Sequence, residues 1–229
     1  MSPRPASASH RLPSRRGFLR NSTAALVGTG LAGGLSMARA AHAGGSDQLR
    51  VGLIGCGGRG TGAAVQALNA DKFVKLTALG DVFPDRLEAS LANLHKQFEM
   101  SPERVAVRAD HCFTGFDAYQ KVLATDVDVV ILATPPHFRP AHLKAAVEAG
   151  KHVFAEKPVA VDAPGVRSVL ASVDEARRRG LSVVSGLCYR YDAPKKEIIS
   201  RIHDGAIGKI VAMHVSYDTG SLWMHPRKE

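Results

Sequence analysis

A largely apolar run from Leu49 to Ile54 leads into Gly55-Cys56-Gly57-Gly58-Arg59-Gly60, and from Thr61 to Asn69 the Ala, Val and Leu positions fall at helical spacing. The alternation then repeats. Phe73 to Leu79 is a second strand candidate ending at Asp81, and Pro84 opens a helix candidate with Leu87, Leu91, Leu94 and Phe98 three or four residues apart. Met100 to Thr114 has no clear period and is read as containing one short strand near Val105. A helix over Phe116 to Leu123 precedes Val127 to Ala133, a Val/Ile run of the kind buried on both faces of a sheet. Thr134-Pro135-Pro136 stops that run. A helix over Pro140 to Ala149 ends at Gly150, a short strand spans His152 to Glu156, a helix over Ala163 to Arg179 ends at Gly180, and Leu181 to Leu187 reads as a further strand. Strands alternating with helices predict an α/β architecture, a doubly wound parallel sheet with right-handed crossovers, over residues 49–190. A helix over Asp192 to Asp204 follows. Lys209 to Tyr217 then alternates like the opening strand of a second sheet, so residues 191–229 read as the beginning of a second domain.

Composition narrows the classes without naming a function. With 45 % hydrophobic and 22 % charged residues, the 229-residue chain is neither disordered, collagen-like nor a disulfide-stapled miniprotein. The formal charge of +9 is uneven: residues 1–43 hold Arg4, Arg11, Arg15, Arg16, Arg20 and Arg39 and no acid, which leaves +3 on the rest. That is no footprint for a nucleic acid. Cys56, Cys112 and Cys188 form no CxxC pair, and His111, His142, His152, His203 and His214 are scattered, so free thiols and no metal are expected.

The arginine-rich start has the layout of an export signal. Ser14-Arg15-Arg16-Gly17-Phe18-Leu19-Arg20 precedes a glycine-diluted apolar stretch, Ser22 to Met37, and small-x-small sites at Ala38-Arg39-Ala40 and Ala41-His42-Ala43. The stretch is too short and glycine-rich for a permanent membrane span. It resembles a twin-arginine signal, which implies the twin-arginine translocation machinery as a partner, export in the folded state with cofactor already loaded, and a periplasmic address.

The glycine turn carries the first piece of chemistry. Gly55 permits a tight turn, Gly57 lets the backbone approach a pyrophosphate, Gly60 lets helix and strand pack closely, and the helix N-terminus favours an anion. Cys56, Gly58 and Arg59 complete the loop. Asp81 closes the second strand, where its carboxylate can accept from an adenosine ribose and repel a 2′-phosphate, unless it is only a helix N-cap. That pattern reads as NAD binding. Nearby Arg59 and Arg86 offer partners for a phosphate, which leaves NADP open. Glu156-Lys157-Pro158 lies where a strand leaves the carboxyl edge of the sheet, the edge at which such sheets bind ligands. Pro158 disfavours a helical Lys157, so the ammonium can project into the crevice or remain a solvated charge.

Ala133-Thr134-Pro135-Pro136-His137-Phe138-Arg139, Glu148-Ala149-Gly150-Lys151-His152-Val153 and Glu156-Lys157-Pro158, with the glycine loop, together resemble the Gfo/Idh/MocA oxidoreductase family from about Leu49 to Tyr217. The resemblance implies an NAD(P)-binding Rossmann domain followed by an α/β domain with an open, mostly antiparallel sheet that covers the nicotinamide and often mediates homo-oligomerisation. It further implies hydride transfer at a hydroxyl-bearing carbon of a sugar, cyclitol or derivative. In that picture Lys157 hydrogen-bonds the reacting hydroxyl, Thr134, Pro135 and His137 line the nicotinamide side, Glu156 lies near the ribose, and Arg190, after Tyr189, faces substrate.

This chain departs from many relatives at Pro136, where they carry Asn, and at Arg139, where they carry His. The family's remaining catalytic Asp and His would fall beyond residue 229, and one strand with a tail leaves a sheet face uncovered, so a longer protein is expected. Trp223 and His225 read either as a substrate loop or as core of that domain. Two other functions stay open: an NAD-dependent glycosidase of the same family, whose members generally lack the lysine motif, and a dinucleotide-binding sensor without turnover.

Overall fold

The computed structural model describes residues 48–220. The proposed signal segment, Trp223 and His225 lie outside the described residues. Six strands, β1 (Leu49–Ile54), β2 (Val74–Asp81), β3 (Cys112–Thr114), β4 (Val129–Leu132), β5 (His152–Ala155) and β6 (Val183–Ser185), alternate with five helices, α1 (Gly58–Ala70), α2 (Pro84–Gln97), α3 (Ala118–Leu123), α4 (Arg139–Glu148) and α5 (Ala163–Arg178). Every strand pair is parallel, and the sheet order is β3-β2-β1-β4-β5-β6. The order therefore reverses between β1 and β4, which opens a crevice at their carboxyl ends.

Burial on both faces explains the strand composition. Val51, Leu53, Leu76 and Leu79 pack with Ala63, Ala64 and Leu68 of α1 and Leu87 and Leu94 of α2. On the other face Ile54, Val130, Leu132 and Val153 pack with Val122 of α3, Leu143, Ala146 and Val147 of α4, and Val169 and Ala176 of α5. A strand covered twice has no polar face to display, hence the continuous Val/Ile/Leu runs. The helix ends follow local chemistry: Asp162 caps α5 by accepting from the Gly165 N–H at 2.7 Å, and Gly150 and Gly180 take positive φ where α4 and α5 stop.

Two expectations are corrected. The short strand before α3 is Cys112–Thr114, whereas Val105 makes only an isolated bridge to Leu76, between short 3-10 turns at Pro102–Arg104 and Ala109–His111. A three-residue edge strand offers too few alternating positions to show a period. The second correction concerns Lys209 to Tyr217, which is irregular and exposed rather than a strand. It has no pairing partner among the described residues, and an extended segment without a neighbour leaves its N–H and C=O groups to water. The helix before it, α6 (Ala193–His203), is capped by Asp192 and leaves Ile198 and Ile199 exposed.

Candidate active site

The glycine turn is shaped by its packing. Gly55 sits at φ +97°, and a Cβ there would meet the Thr134 backbone nitrogen at 2.6 Å, because the ends of β1 and β4 lie side by side. A Cβ on Gly60 would lie 1.8 Å from the Gly55 carbonyl oxygen. Gly57 is different: it faces open space apart from the tip of Arg86, and it caps α1 with no side-chain hydrogen bond to the first-turn N–H groups. Uncapped N–H groups at a 13-residue helix, with room in front of them, fit the pyrophosphate of a dinucleotide.

Asp81 is held by two backbone donors. Its Oδ2 accepts from the Cys56 N–H at 2.6 Å and its Oδ1 from the Phe83 N–H at 2.9 Å. The N-cap of α2 is Phe83, so Asp81 is not the cap. Each carboxylate oxygen keeps acceptor capacity for a further donor.

A crevice of about 1100 Å³ opens at the carboxyl edge, lined by Gly55, Gly57, Arg59, Asp81, Thr134, Pro135, Glu156 and Lys157. These residues come from the ends of β1, β2, β4 and β5 and from the start of α1, far apart in sequence and adjacent at the switch point. Arg59 reaches across it, and its guanidinium pairs with Oε1 of the buried Glu156 at 2.8 Å. Lys157 is exposed at the crevice, and the Lys157–Pro158 peptide bond is cis. Several expected residues fall outside the lining. Cys56 and Gly60 are buried beneath the turn, with burial holding the Cys56 thiol well above its ordinary pKa, and Gly58 lies on α1 away from the crevice wall. His137 is exposed and packs edge-on against Phe138, and Arg190 ends an exposed 3-10 turn, Cys188–Arg190, whose Cys188 does line the crevice. Among the described residues no group of three His, Cys, Asp or Glu side chains is placed to hold a metal ion.

Sequence reasoning missed a polar layer beneath Thr134. Arg139, 2 % exposed at the first turn of α4, and His142, one turn on, both line the crevice. His142 lies between Tyr119 and Phe138, stacked on Tyr119 at 4.1 Å, and its Nδ1 is 3.2 Å from Thr134 Oγ1. The signal available was the i, i+3 pairing of Arg139 and His142 on a helix that starts at the carboxyl edge of β4.

Burial, assisted by the Arg139 charge, pushes the His142 pKa down to about 4. A folded state that disfavours imidazolium gains stability above the ordinary histidine pKa near 6.5 and loses it as pH falls from there toward 4, because the unfolded chain takes up the proton first. Urea denaturation should therefore give a wild-type stability loss between pH 7 and pH 5 that exceeds that of His142→Phe by about 2 kcal/mol. Parallel curves for the two proteins would show that the imidazole is not held neutral.

The profile of the GFO_IDH_MocA family, described as an oxidoreductase family with an NAD-binding Rossmann fold, matches residues 49–185. The chain is 32 % identical to inositol 2-dehydrogenase 4 of Saccharopolyspora erythraea over 174 residues, covering 76 % of this chain and 46 % of that protein. It is 29 % identical to a glycosyl hydrolase family 109 protein of Solibacter usitatus over 215 residues, covering 90 % and 46 %. It superposes on scyllo-inositol dehydrogenase from Lactobacillus casei, solved with bound NAD(H) and scyllo-inositol, with a TM-score of 0.56 and 25 % identity, covering 70 % of this chain and 42 % of that one. The chain thus spans about half the length of the curated relatives it matches. The profile match begins at the first residue of β1, ends at the last residue of β6 and takes in the glycine turn, Asp81 and the Glu-Lys-Pro turn, and on that ground the chain belongs to the Gfo/Idh/MocA family of NAD-binding Rossmann-fold oxidoreductases.

Proposed function

We propose that this protein transfers a hydride between the nicotinamide of NAD and a hydroxyl-bearing carbon of a sugar, cyclitol or derivative. The observation that carries the reading is Lys157 at the end of β5, lining the same crevice as the glycine turn and Asp81. The α1 N-terminus binds the pyrophosphate, and Asp81 accepts from the adenosine ribose and disfavours a 2′-phosphate. Thr134 and Pro135 border the nicotinamide side, with Glu156 toward its ribose. Bound nicotinamide supplies the hydride chemistry. Lys157 donates to the substrate oxygen and stabilises the negative charge that develops there as the hydroxyl proton passes to water in the crevice. Residues 191–229 begin the domain that covers the nicotinamide and joins subunits, and the twin-arginine-like segment 14–43 is the reason to place the reaction in the periplasm with the nucleotide loaded beforehand.

The test is to purify the protein without residues 1–43, denature it and identify released nucleotide by mass, then follow NADH absorbance with myo-inositol and a panel of sugars. Recovered NAD with polyol-dependent NADH formation supports the reading. A protein that neither carries nor binds NAD or NADP overturns it.

The likeness to a glycosyl hydrolase family 109 protein over 90 % of the chain favours one second reading, NAD-dependent glycoside cleavage. Release of nitrophenol from an aryl glycoside without net NADH would select it. Firm dinucleotide binding with neither reaction would select a non-catalytic sensor.

A further inference from the structure

Arg139 occupies a position that physical chemistry disfavours three times over. It is buried, it stands at the N-terminus of α4 where the helix dipole repels a cation, and no carboxylate oxygen hydrogen-bonds it. Burial lowers its pKa against the pull of the nearby Glu156 carboxylate. Its Nη1 donates to the carbonyls of Glu156 and Pro158, each at 2.5 Å, and its Nη2 donates to the Thr134 carbonyl, while Nε has no partner. The first two carbonyls flank Lys157 in sequence. The third lies two residues past the end of the neighbouring strand β4, on the wall assigned to the nicotinamide side.

A guanidinium suits this task because its planar fork presents several donors in fixed directions, so one side chain can hold three carbonyls of two loops in one arrangement. A shorter or apolar residue would fill space but leave those carbonyls without buried donors. Lys157 itself has no described hydrogen bond that would fix its stem, so its location depends on the backbone on either side.

We propose that Arg139 is a positioning residue, a buried fork that ties the Glu156-Lys157-Pro158 turn to the end of β4 and thereby sets where the Lys157 ammonium stands relative to the nicotinamide. The inference rests on the reading of Lys157 given above. It acts through Lys157.

The experiment uses the complete protein as wild type, Arg139→Met and Arg139→Lys. Lysines are labelled with acetic anhydride with and without saturating NADH and quantified by peptide mass spectrometry, with exposed Lys96 on α2 as the internal standard. In the wild type NADH should slow labelling of Lys157 about ten-fold, since small displacements at a positioned group have large effects. In Arg139→Met, NADH should bind with a Kd within about three-fold of the wild type by fluorescence titration, while protection of Lys157 falls below about two-fold. Arg139→Lys, which keeps the charge and loses the fork, should show intermediate protection.

An Arg139→Met protein that binds NADH and still protects Lys157 like the wild type overturns the proposal. Joint loss of protection and NADH binding also overturns it, because the crevice as a whole would have failed. If Arg139→Met does not fold, Arg139→Lys decides by the same criteria. Should wild-type Lys157 go unprotected while NADH binds, the catalytic reading of Lys157 falls, and labelling without NADH then judges Arg139 separately: equal Lys157 rates in wild type and variant overturn positioning, and about a five-fold change sustains it.

Discussion

Lys157→Ala in the complete protein should lower kcat about a hundred-fold or more with the substrate that reduces NAD fastest, while the nucleotide stays bound. The size follows from what the ammonium does at a developing oxyanion, where a single donor is worth about two to three powers of ten. Retention of nucleotide follows from the division of labour in the fold. In the proposed reading the pyrophosphate and ribose contacts fall at the ends of β1 and β2, whereas Lys157 follows β5. Steady-state rates and the NAD dissociation constant, measured on the same preparation, check both halves. Unchanged turnover would remove the catalytic role of Lys157, and lost NAD binding would move its function to the cofactor.

Gly60→Ala should have the larger effect on the fold itself. The added methyl would lie 1.8 Å from the Gly55 carbonyl oxygen and 3.2 Å from the Ala133 Cβ. Both sides of that contact are fixed: Gly55 is backbone in a turn at positive φ, and Gly60 is in the first turns of α1. No flexible side chain can give way, so α1 must shift off the sheet, at a cost of about 3 kcal/mol or more. The same displacement withdraws the α1 N-terminus from the pyrophosphate, so NAD binding should be lost together with stability. Gly58→Ala is the matched control. Nothing lies within 4 Å of a Cβ there and the residue is helical, so stability should change by less than about 1 kcal/mol, in the stabilising direction. Chemical denaturation of the three proteins distinguishes them. Equal midpoints for wild type and Gly60→Ala would mean that the turn is less tightly packed than its geometry states.

The pair shows how differently two glycines of one motif behave. Gly60 is required by contact, whereas Gly58 is open to a side chain where stability alone is concerned. A motif read as letters treats them alike, since only coordinates tell a close approach from open space.

Much of the architecture was legible because its determinants are local. The Val127 to Ala133 run can be buried on two sheet faces and nowhere more economically, and Gly150 and Gly180 end helices for a conformational reason that belongs to the residue itself. The glycine turn, Asp81 and the Glu-Lys-Pro turn were each visible as candidate chemistry, and the parallel order of the strands brings all three to one edge. Elements whose signal is short or whose partner is distant were not legible. β3 is three residues long, and Lys209 to Tyr217 has an alternating pattern that forms no ladder among the described residues.

Residue chemistry and local periodicity by themselves determined the α/β alternation and the glycine turn, and left Lys157 either at the crevice or in solvent. Only the tertiary structure decided that Asp81 is gripped by the Cys56 and Phe83 N–H groups, that Arg59 crosses to Glu156, and that Arg139 and His142 form the floor beneath Thr134 and Lys157. The reason is physical: a buried guanidinium or imidazole takes its role from the carbonyls, rings and charges that surround it, and those arrive from strands and helices far apart in the chain once the sheet has closed its switch point.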